Sequence, residues 1–189
     1  LEGTAVCDGY AKTYALTLRK LGITGVLVTS KDIGHAWNMV ELDGNWYQVD
    51  CTWDDPVDGS DQLGYCMHKH LLCTTEEMNT NHSDDSVAFD LENLGTQNIV
   101  NLATDDTYEN TWWKDKKSAI FPCGGDWYYA SGERLFWRDD LGDCDSNLAH
   151  EDDSGVVAGS IALDGTLLVA TDKQACGQSS WIKQYELDP

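Results

Sequence analysis

Residues 34–53 read GHAWNMVELDGNWYQVDCTW, and this stretch decides the fold because it encodes a β-hairpin. Two segments rich in strand-forming residues, His35 to Leu42 and Asn45 to Thr52, flank the dipeptide Asp43-Gly44. Asp-Gly between two such segments is a strong signal for a two-residue turn, because both turn positions adopt positive φ angles. The sequence therefore predicts two antiparallel strands joined by a two-residue loop.

The loop length determines which side chains share a face of this hairpin. With two residues in the loop, His35 lies opposite Thr52 and Trp37 lies opposite Asp50, and all four side chains point the same way. His35 and Asp50 then become diagonal neighbours, so the carboxylate can accept an imidazole N–H. The opposite face is expected to point mostly toward a core and carries Ala36, Asn38, Val40, Tyr47, Val49 and Cys51. A three-residue loop would reverse this parity.

An amphipathic helix is predicted from Asp8 to Leu21, ended by Gly22. Its apolar positions recur at helical spacing and are Ala11, Tyr14, Ala15, Leu18 and Leu21. Cys7 lies at or just before the start of this helix. The unpaired backbone N–H groups and the helix dipole at that end favour a thiolate over a thiol.

Cys7, His35 and Asp50 are the three residue types of a cysteine-nucleophile acyl-transfer site. In such a site the thiolate attacks a carbonyl, the imidazole moves the proton, and the carboxylate holds the imidazole in one tautomer. The structural alternative is that a cysteine near a helix start is usually a buried thiol. The shared face of His35 and Asp50 favours the catalytic interpretation.

Three blocks follow one another in the sequence: GTAVCDGYA at 3–11 with LGI at 21–23, GHAWN at 34–38, and LDGNWYQVD at 42–50 with TWDDP at 52–56. Together they resemble the core of bacterial transglutaminase-like proteins, part of the papain-like thiol superfamily. The resemblance covers about residues 3 to 83. It implies an α+β fold with a papain-like transglutaminase core, in which the helix bearing the cysteine packs on an antiparallel sheet bearing the histidine and aspartate.

The resemblance also implies roles for individual residues. Cys7 is the expected nucleophile, His35 the general base and acid, and Asp50 the orienting carboxylate. The segment from Lys69 to His82 is similar to the strand, helix and terminal histidine that follow the triad in such domains. Family members carry helical structure upstream, whereas six residues precede Cys7 and the chain starts without Met, so a longer protein is expected. The Cys7 N–H is one expected oxyanion donor, and the sequence identifies no second one.

The expected reaction is acyl transfer on protein or peptide amides through a thioester. Resolution by an amine would make the chain a transglutaminase and resolution by water a cysteine peptidase or amidase, and the sequence does not choose between them. Trp37 and Trp53 are candidates to line the substrate groove, or else core residues, whereas Asn38 is expected to be structural. Two further alternatives remain: a non-catalytic cell-surface binding module, and a thiol that forms a lasting ester or thioester crosslink.

The rest of the chain is predicted to divide after residue 83. Residues 84–117 are expected to connect two regions and to contain a short strand, Asn98 to Ala103. Residues 118–189 are predicted to form β-hairpins. Their strands are Trp127 to Ala130, Arg134 to Arg138, Gly155 to Leu163, Thr166 to Thr171 and Trp181 to Leu187. These hairpins loosely resemble the blades of repeat β-propellers on bacterial surface proteins, with fewer than two blades present, and a binding or spacing role is expected.

The net charge is −21, of which −7 lies on residues 1–83 and −14 on residues 84–189. Such a surface repels phosphate backbones and anionic membranes, so nucleic acid is excluded as an expected partner. There is no apolar run long enough for membrane insertion, and no secretory signal pattern. We expect an extracellular or cell-surface location, protein or peptide substrates, no cofactor, and a cell-surface or cell-wall partner for the β region.

Seven cysteines allow three disulfides beside a Cys7 thiol. Cys66, His68 and His70 would share one face of a strand near Cys73, but this spacing matches no standard zinc pattern, and no metal site is predicted. Asp143, Asp145 and Asn147 imitate the start of a calcium loop. Leu148 then stands where such a loop needs glycine. Thr74 with Glu77 predicts a capping box and a short helix.

Overall fold

The computed structural model describes residues 6–55, 66–90, 95–123, 125–131, 134–139, 147–151, 156–161, 167–171 and 181–185. The chain divides into two compact units. The first unit comprises Leu1–Asp54 and Lys69–Asn110, and the second comprises Asp55–His68 and Thr111–Pro189. All the residues of the predicted triad belong to the first unit.

The first unit begins with helix α1, Cys7–Leu21. Gly22 ends it with φ 73°, a left-handed conformation that glycine adopts without strain, and this confirms the predicted helix and its stop. Ala11, Ala15 and Leu18 are buried as the periodicity predicts. Leu21 was predicted on the same apolar face, which is wrong, because 68% of it is exposed in the last turn.

Five strands form one antiparallel sheet in the described part of the first unit, in the order β3-β2-β1-β4-β5. They are β1 (Gly25–Ser30), β2 (His35–Leu42), β3 (Asn45–Val49), β4 (Val87–Asp90) and β5 (Gly95–Gln97). Asp43 and Gly44 have φ angles of 51° and 85°, and Leu42 pairs with Asn45. The two-residue loop is therefore confirmed. Strand β3 ends at Val49, three residues earlier than predicted.

The two faces of this sheet carry separate apolar clusters, as the loop parity predicts. Against α1 lie Ala36 and Val40, and the Asn38 amide donates to the Ala11 carbonyl at 3.0 Å. The structural role predicted for Asn38 is thus confirmed. The other face carries the larger cluster, formed by Val26, Val28, Trp37, Met39, Cys73, Met78, Ala88, Val100 and Ala103. Fully burying one of its Val or Met side chains contributes about 1.5–3 kcal/mol, so this cluster is a major source of the stability of the first unit.

The segment after β3 returns to the sheet at Cys73, which forms a β-bridge with Gln48. Helix α2 follows at Thr75–Met78, and the Thr74 side chain accepts from the Glu77 N–H, which confirms the cap at Thr74 and the short helix. The strand predicted through residues 66–70 is wrong. Those residues form no strand, and the Asp50 N–H donates to the His70 carbonyl at 2.9 Å, which links this segment to the end of β3.

The stretch 84–117, predicted as a connecting segment, contains β4 and β5 of the first sheet. The strand predicted from Asn98 to Ala103 is wrong, because Val100–Leu102 forms a 3-10 helix that buries Val100 in the core. A second 3-10 helix is Trp112–Asp115.

The second unit contains two open antiparallel sheets among the described residues. One is a meander of β6 (Ile120–Cys123), β7 (Asp126–Ser131), β8 (Arg134–Arg138) and β9 (Asn147–Glu151). The other joins β10 (Val156–Ile161), β11 (Leu167–Thr171) and β12 (Trp181–Tyr185). These pairings confirm the predicted hairpins. The residues 132–133 and 162–166 between the paired strands of these hairpins, and Asp143 and Asp145 of the calcium motif, lie outside the described residues. The fold class is α+β.

Candidate active site

The first contact in the site joins the two strands of the central hairpin. His35 is the first residue of β2, and Asp50 directly follows β3. Because the two-residue loop aligns these strand ends, His35 Nε2 lies 2.6 Å from Asp50 Oδ2. The structure therefore brings together two of the three residues predicted for catalysis.

The Asp50 side chain is 0% exposed, and both of its carboxylate oxygens accept hydrogen bonds. Its Oδ1 accepts from the backbone N–H groups of Thr52 at 2.9 Å and Trp53 at 3.3 Å. Its Oδ2 is shared by His35 and His82. A buried carboxylate is tolerated only when its oxygens are satisfied in this way.

The charge state of Asp50 follows from these contacts. Burial raises the pKa of Asp50, but the hydrogen bonds from His35 and His82, the charge of His35 and the Thr52 N–H outweigh burial. The pKa of Asp50 therefore lies well below its ordinary value, and the group is a carboxylate at neutral pH. Since a carboxylate only accepts, His35 Nε2 carries the hydrogen. Nδ1 is then the ring atom that remains to exchange a proton with a thiol.

His82 is a candidate functional residue that reasoning from the sequence missed. It was expected only as the terminal histidine after α2, yet its Nε2 lies 2.9 Å from Asp50 Oδ2 and its side chain is 0% exposed. The His82 backbone N–H bonds the Met78 carbonyl at 3.0 Å, so α2 positions the ring. No periodicity signals this contact, because it joins residues 32 positions apart.

A chain of polar contacts continues from His82. His82 Nδ1 lies 2.7 Å from Asn81 Oδ1, and Asn81 Nδ2 lies 3.0 Å from His70 Nε2. His70 Nδ1 lies 3.0 Å from Asp54 Oδ1, and the Asp54 carboxylate also accepts from the His70 backbone N–H. Asp50 and Asp54 are thus the two ends of one relay, defined here as Asp50, His82, Asn81, His70 and Asp54.

The two tryptophans predicted to line a groove behave differently. Trp53 is half-buried, and its ring centroid lies 5.5 Å from that of His35 and 4.1 Å from that of His82. Trp37 is 1% exposed, and its Nε1 donates to Gln48 Oε1 at 2.7 Å. Of the two roles expected for Trp37, groove lining and core packing, its burial in the large apolar cluster is that of a core residue. Trp53 remains a candidate for substrate contact.

Cys7 is the first residue of α1 and is half-buried. It packs against the cluster of Ala11, Leu27 and Ala36, and Ala36 directly follows His35. Cys7 therefore lies beside the start of β2 on the face that packs against α1, whereas the alternation along β2 points the His35 side chain to the opposite face. Among the described residues, no hydrogen bond joins its sulfur to His35, so the structure does not complete the contact between thiol and imidazole.

The same cluster contains three side chains of types that bind metal ions. The donor atoms of His35, Asp50 and His82 lie within 4.8 Å of one another. Two ligands of one tetrahedral zinc ion stand about 3.4 Å apart, given metal–ligand distances of about 2.1 Å. The 2.6 and 2.9 Å separations are shorter and match hydrogen bonds, so protons fit this cluster better than a metal.

The alternative zinc residues are engaged elsewhere. Cys66 Sγ bonds the Met67 carbonyl at 3.4 Å, and His68 Nδ1 lies 3.2 Å from the Lys116 carbonyl. Cys73 Sγ bonds the Lys69 carbonyl. Thiols are also present at Cys7 and Cys51, so three disulfides beside Cys7 are not formed.

No protein-family model matches this chain, and no curated protein or solved structure matches it either. In the described part of the chain, the helices are too short or too polar to cross a membrane. Function is therefore inferred from the geometry of this site and from the residue blocks quoted above.

Proposed function

We propose that this chain is a transglutaminase-like cysteine acyltransferase whose first unit is a papain-like core. Cys7 is the nucleophile, His35 the general base and acid, and Asp50 the carboxylate that orients His35. The single observation that carries the proposal is the 2.6 Å hydrogen bond between His35 and the buried, ionised Asp50. Placement of Cys7 at the N-terminus of α1 supports it, because unpaired backbone N–H groups there favour a thiolate.

The first half of the reaction forms a thioester. His35 Nδ1 takes the proton from the Cys7 thiol, and Asp50 stabilises the resulting imidazolium through the Nε2–H bond. The thiolate attacks an amide carbonyl of a protein or peptide, and the negative charge that develops on oxygen faces the backbone N–H of Cys7. His35 then returns its proton to the leaving amine, which departs as ammonia when the amide is a glutamine side chain.

The second half releases the acyl group. An incoming amine or a water molecule loses a proton to His35 Nδ1 and attacks the thioester, and the Cys7 thiolate leaves and regains the proton. An amine gives a new amide bond, whereas water gives a carboxylate. The half-buried Trp53 ring beside His35 supplies an apolar wall for the acyl substrate and for excluding water.

The proposal also covers the substrates, cofactors, location and partners of the protein. Substrates are proteins or peptides, the reaction needs no cofactor, and the location is extracellular or at a cell surface, where the acidic β region of the second unit binds a partner. The propeller-like character of that region is part of the proposal. Nucleic acid and membrane insertion form no part of it.

A second candidate function is favoured by one observation. Because the Cys7 sulfur makes no hydrogen bond to His35 among the described residues, the first unit could serve as a non-catalytic binding module. In that case Cys7 would react like an ordinary thiol, and multiple turnover would not occur.

The test measures incorporation of a fluorescent alkylamine into casein together with ammonia release. Wild type should incorporate amine or release ammonia over many turnovers, and Cys7→Ala should abolish both while retaining its circular dichroism spectrum. Cys66→Ala is the matched control, since that half-buried thiol lies in the second unit. Turnover retained in Cys7→Ala would refute the mechanism, and a single permanent mass increase on Cys7 would instead indicate a lasting crosslink.

A further inference from the structure

We infer that His82 is a positioning residue for the His35–Asp50 pair, and that the Asn81 amide determines which of two histidines, His82 or His70, carries a shared extra proton. This inference concerns the same site and its functional meaning rests on the proposed function. It is carried by the relay contacts and by the number of hydrogens they require.

The relay contains four side-chain contacts, each of hydrogen-bond length. They are Asp50 to His82 at 2.9 Å, His82 to Asn81 at 2.7 Å, Asn81 to His70 at 3.0 Å, and His70 to Asp54 at 3.0 Å. The carboxylates at both ends only accept. Each contact therefore needs one hydrogen supplied from within the relay.

Two neutral imidazoles cannot supply enough hydrogens. The Asn81 amide has one oxygen and one nitrogen facing the two rings, so it donates to one ring and accepts from the other. Three contacts then depend on ring hydrogens, whereas two neutral rings carry one each. One of the two rings must therefore be an imidazolium when all four contacts are made.

The orientation of Asn81 selects that ring. In the structure Asn81 Oδ1 faces His82, so His82 donates from both nitrogens and is the imidazolium. Rotating the amide by half a turn would make Asn81 donate to His82 and accept from His70, and the extra proton would then lie beside Asp54. Asn81 is exposed, so its amide has room to turn.

The position of the proton changes the charge that Asp50 offers to His35. The titratable groups that face the His82 ring among the described residues are Asp50, His35 and His70, and the rings of Trp37 and Trp53 pack against it. A cationic His82 neutralises part of the Asp50 charge, whereas a neutral His82 leaves that charge to stabilise protonated His35. The Asn81 amide therefore adjusts how strongly Asp50 supports the imidazolium that catalysis requires.

The test counts ring protons by NMR of the full chain labelled with 15N-histidine at neutral pH. Wild type should show one fully protonated ring, shared between His70 and His82. In Asn81→Leu both rings should be neutral, because each then needs only the hydrogen that it donates to its carboxylate. In Asn81→Asp both rings should be protonated, because the new carboxylate accepts from both. Two neutral rings in wild type, or equal proton numbers in all three proteins, would overturn the inference.

The same spectra also compare the His35 ring between the two Asn81 variants. The His35 Nε2–H signal should lie further downfield, as expected for a stronger hydrogen bond to Asp50, in Asn81→Leu than in Asn81→Asp, and the reverse order would refute the positioning role. His68→Gln is the control, because His68 is buried outside the relay and its loss should leave both proton counts unchanged. These spectra require no catalytic turnover, so the relay and the proposed function can be refuted separately. An inactive wild type with the expected numbers of ring protons would refute only the proposed function. An active wild type with other numbers of ring protons would refute only the relay.

Discussion

Asp50 Oδ2 lies 2.6 Å from His35 Nε2, although Asp50 stands beyond the end of β3 and is 0% exposed. Replacing the acceptor by an amide, in Asp50→Asn, removes the charge that stabilises protonated His35 and permits the wrong ring tautomer. We expect the fold to persist and kcat to fall roughly 10²- to 10⁴-fold. The measurement is the rate of amine incorporation, with circular dichroism to check folding.

Asp43→Asn provides the matched control for that change. Asp43 is an exposed turn residue with φ 51°, a conformation that asparagine tolerates. Its rate should equal that of wild type. An unchanged rate in Asp50→Asn, with Asp43→Asn also unchanged, would remove Asp50 from the catalytic residues.

The stability of the first unit should depend on pH through the same carboxylate. Since the pKa of Asp50 is lower in the folded state than in the unfolded chain, its contribution to stability is fully present above the unfolded value of about 3.9. That contribution is lost as pH falls from there through the folded-state pKa. The free energy of unfolding, from urea titrations at pH 6 down to pH 2, should therefore fall more for wild type than for Asp50→Asn. A constant difference over this range would contradict the prediction.

Local patterns predicted the elements that bear the site. The Asp43-Gly44 signal specified the loop, and the loop specified which face each residue of the hairpin occupies. The periodicity of residues 8–21 and the stop at Gly22 specified the helix that begins with Cys7. These features could be predicted because each depends on neighbours in the sequence.

Long-range contacts could not be predicted in the same way. His82 reaches Asp50 from 32 positions away, through the placement of α2 against the sheet, and no spacing rule encodes that distance. At His70 the Asp54 carboxylate accepts the backbone N–H that a strand would use, and this contact joins residues 16 positions apart. The sequence left Trp37 as either a groove or a core residue, because it indicates the face of the strand but not the depth of the apolar cluster on that face.

Gly44 allows the loop geometry to be tested without touching the site. Its φ is 85°, and an added Cβ would meet no atom within 4 Å, so the cost of Gly44→Ala is backbone strain alone. We expect the free energy of unfolding to fall by about 1–2 kcal/mol, with unchanged catalytic constants. Urea titration beside the kinetic assay measures both. No loss of stability would mean that the positive φ is not required at this position.

Substitutions of Trp37 and Trp53 distinguish a role in core packing from a role in substrate contact. Trp37→Phe removes a donor from the buried Gln48 Oε1, so we expect a loss of about 1–3 kcal/mol in stability and an unchanged KM. Trp53→Phe trims the half-buried ring beside His35, so we expect a higher KM for the acyl substrate and a smaller loss of stability than in Trp37→Phe. Steady-state kinetics and urea titration of the two variants distinguish these roles. If Trp37→Phe changed KM while Trp53→Phe did not, Trp37 would be the tryptophan that contacts the acyl substrate, and the substrate would have to enter the large apolar cluster.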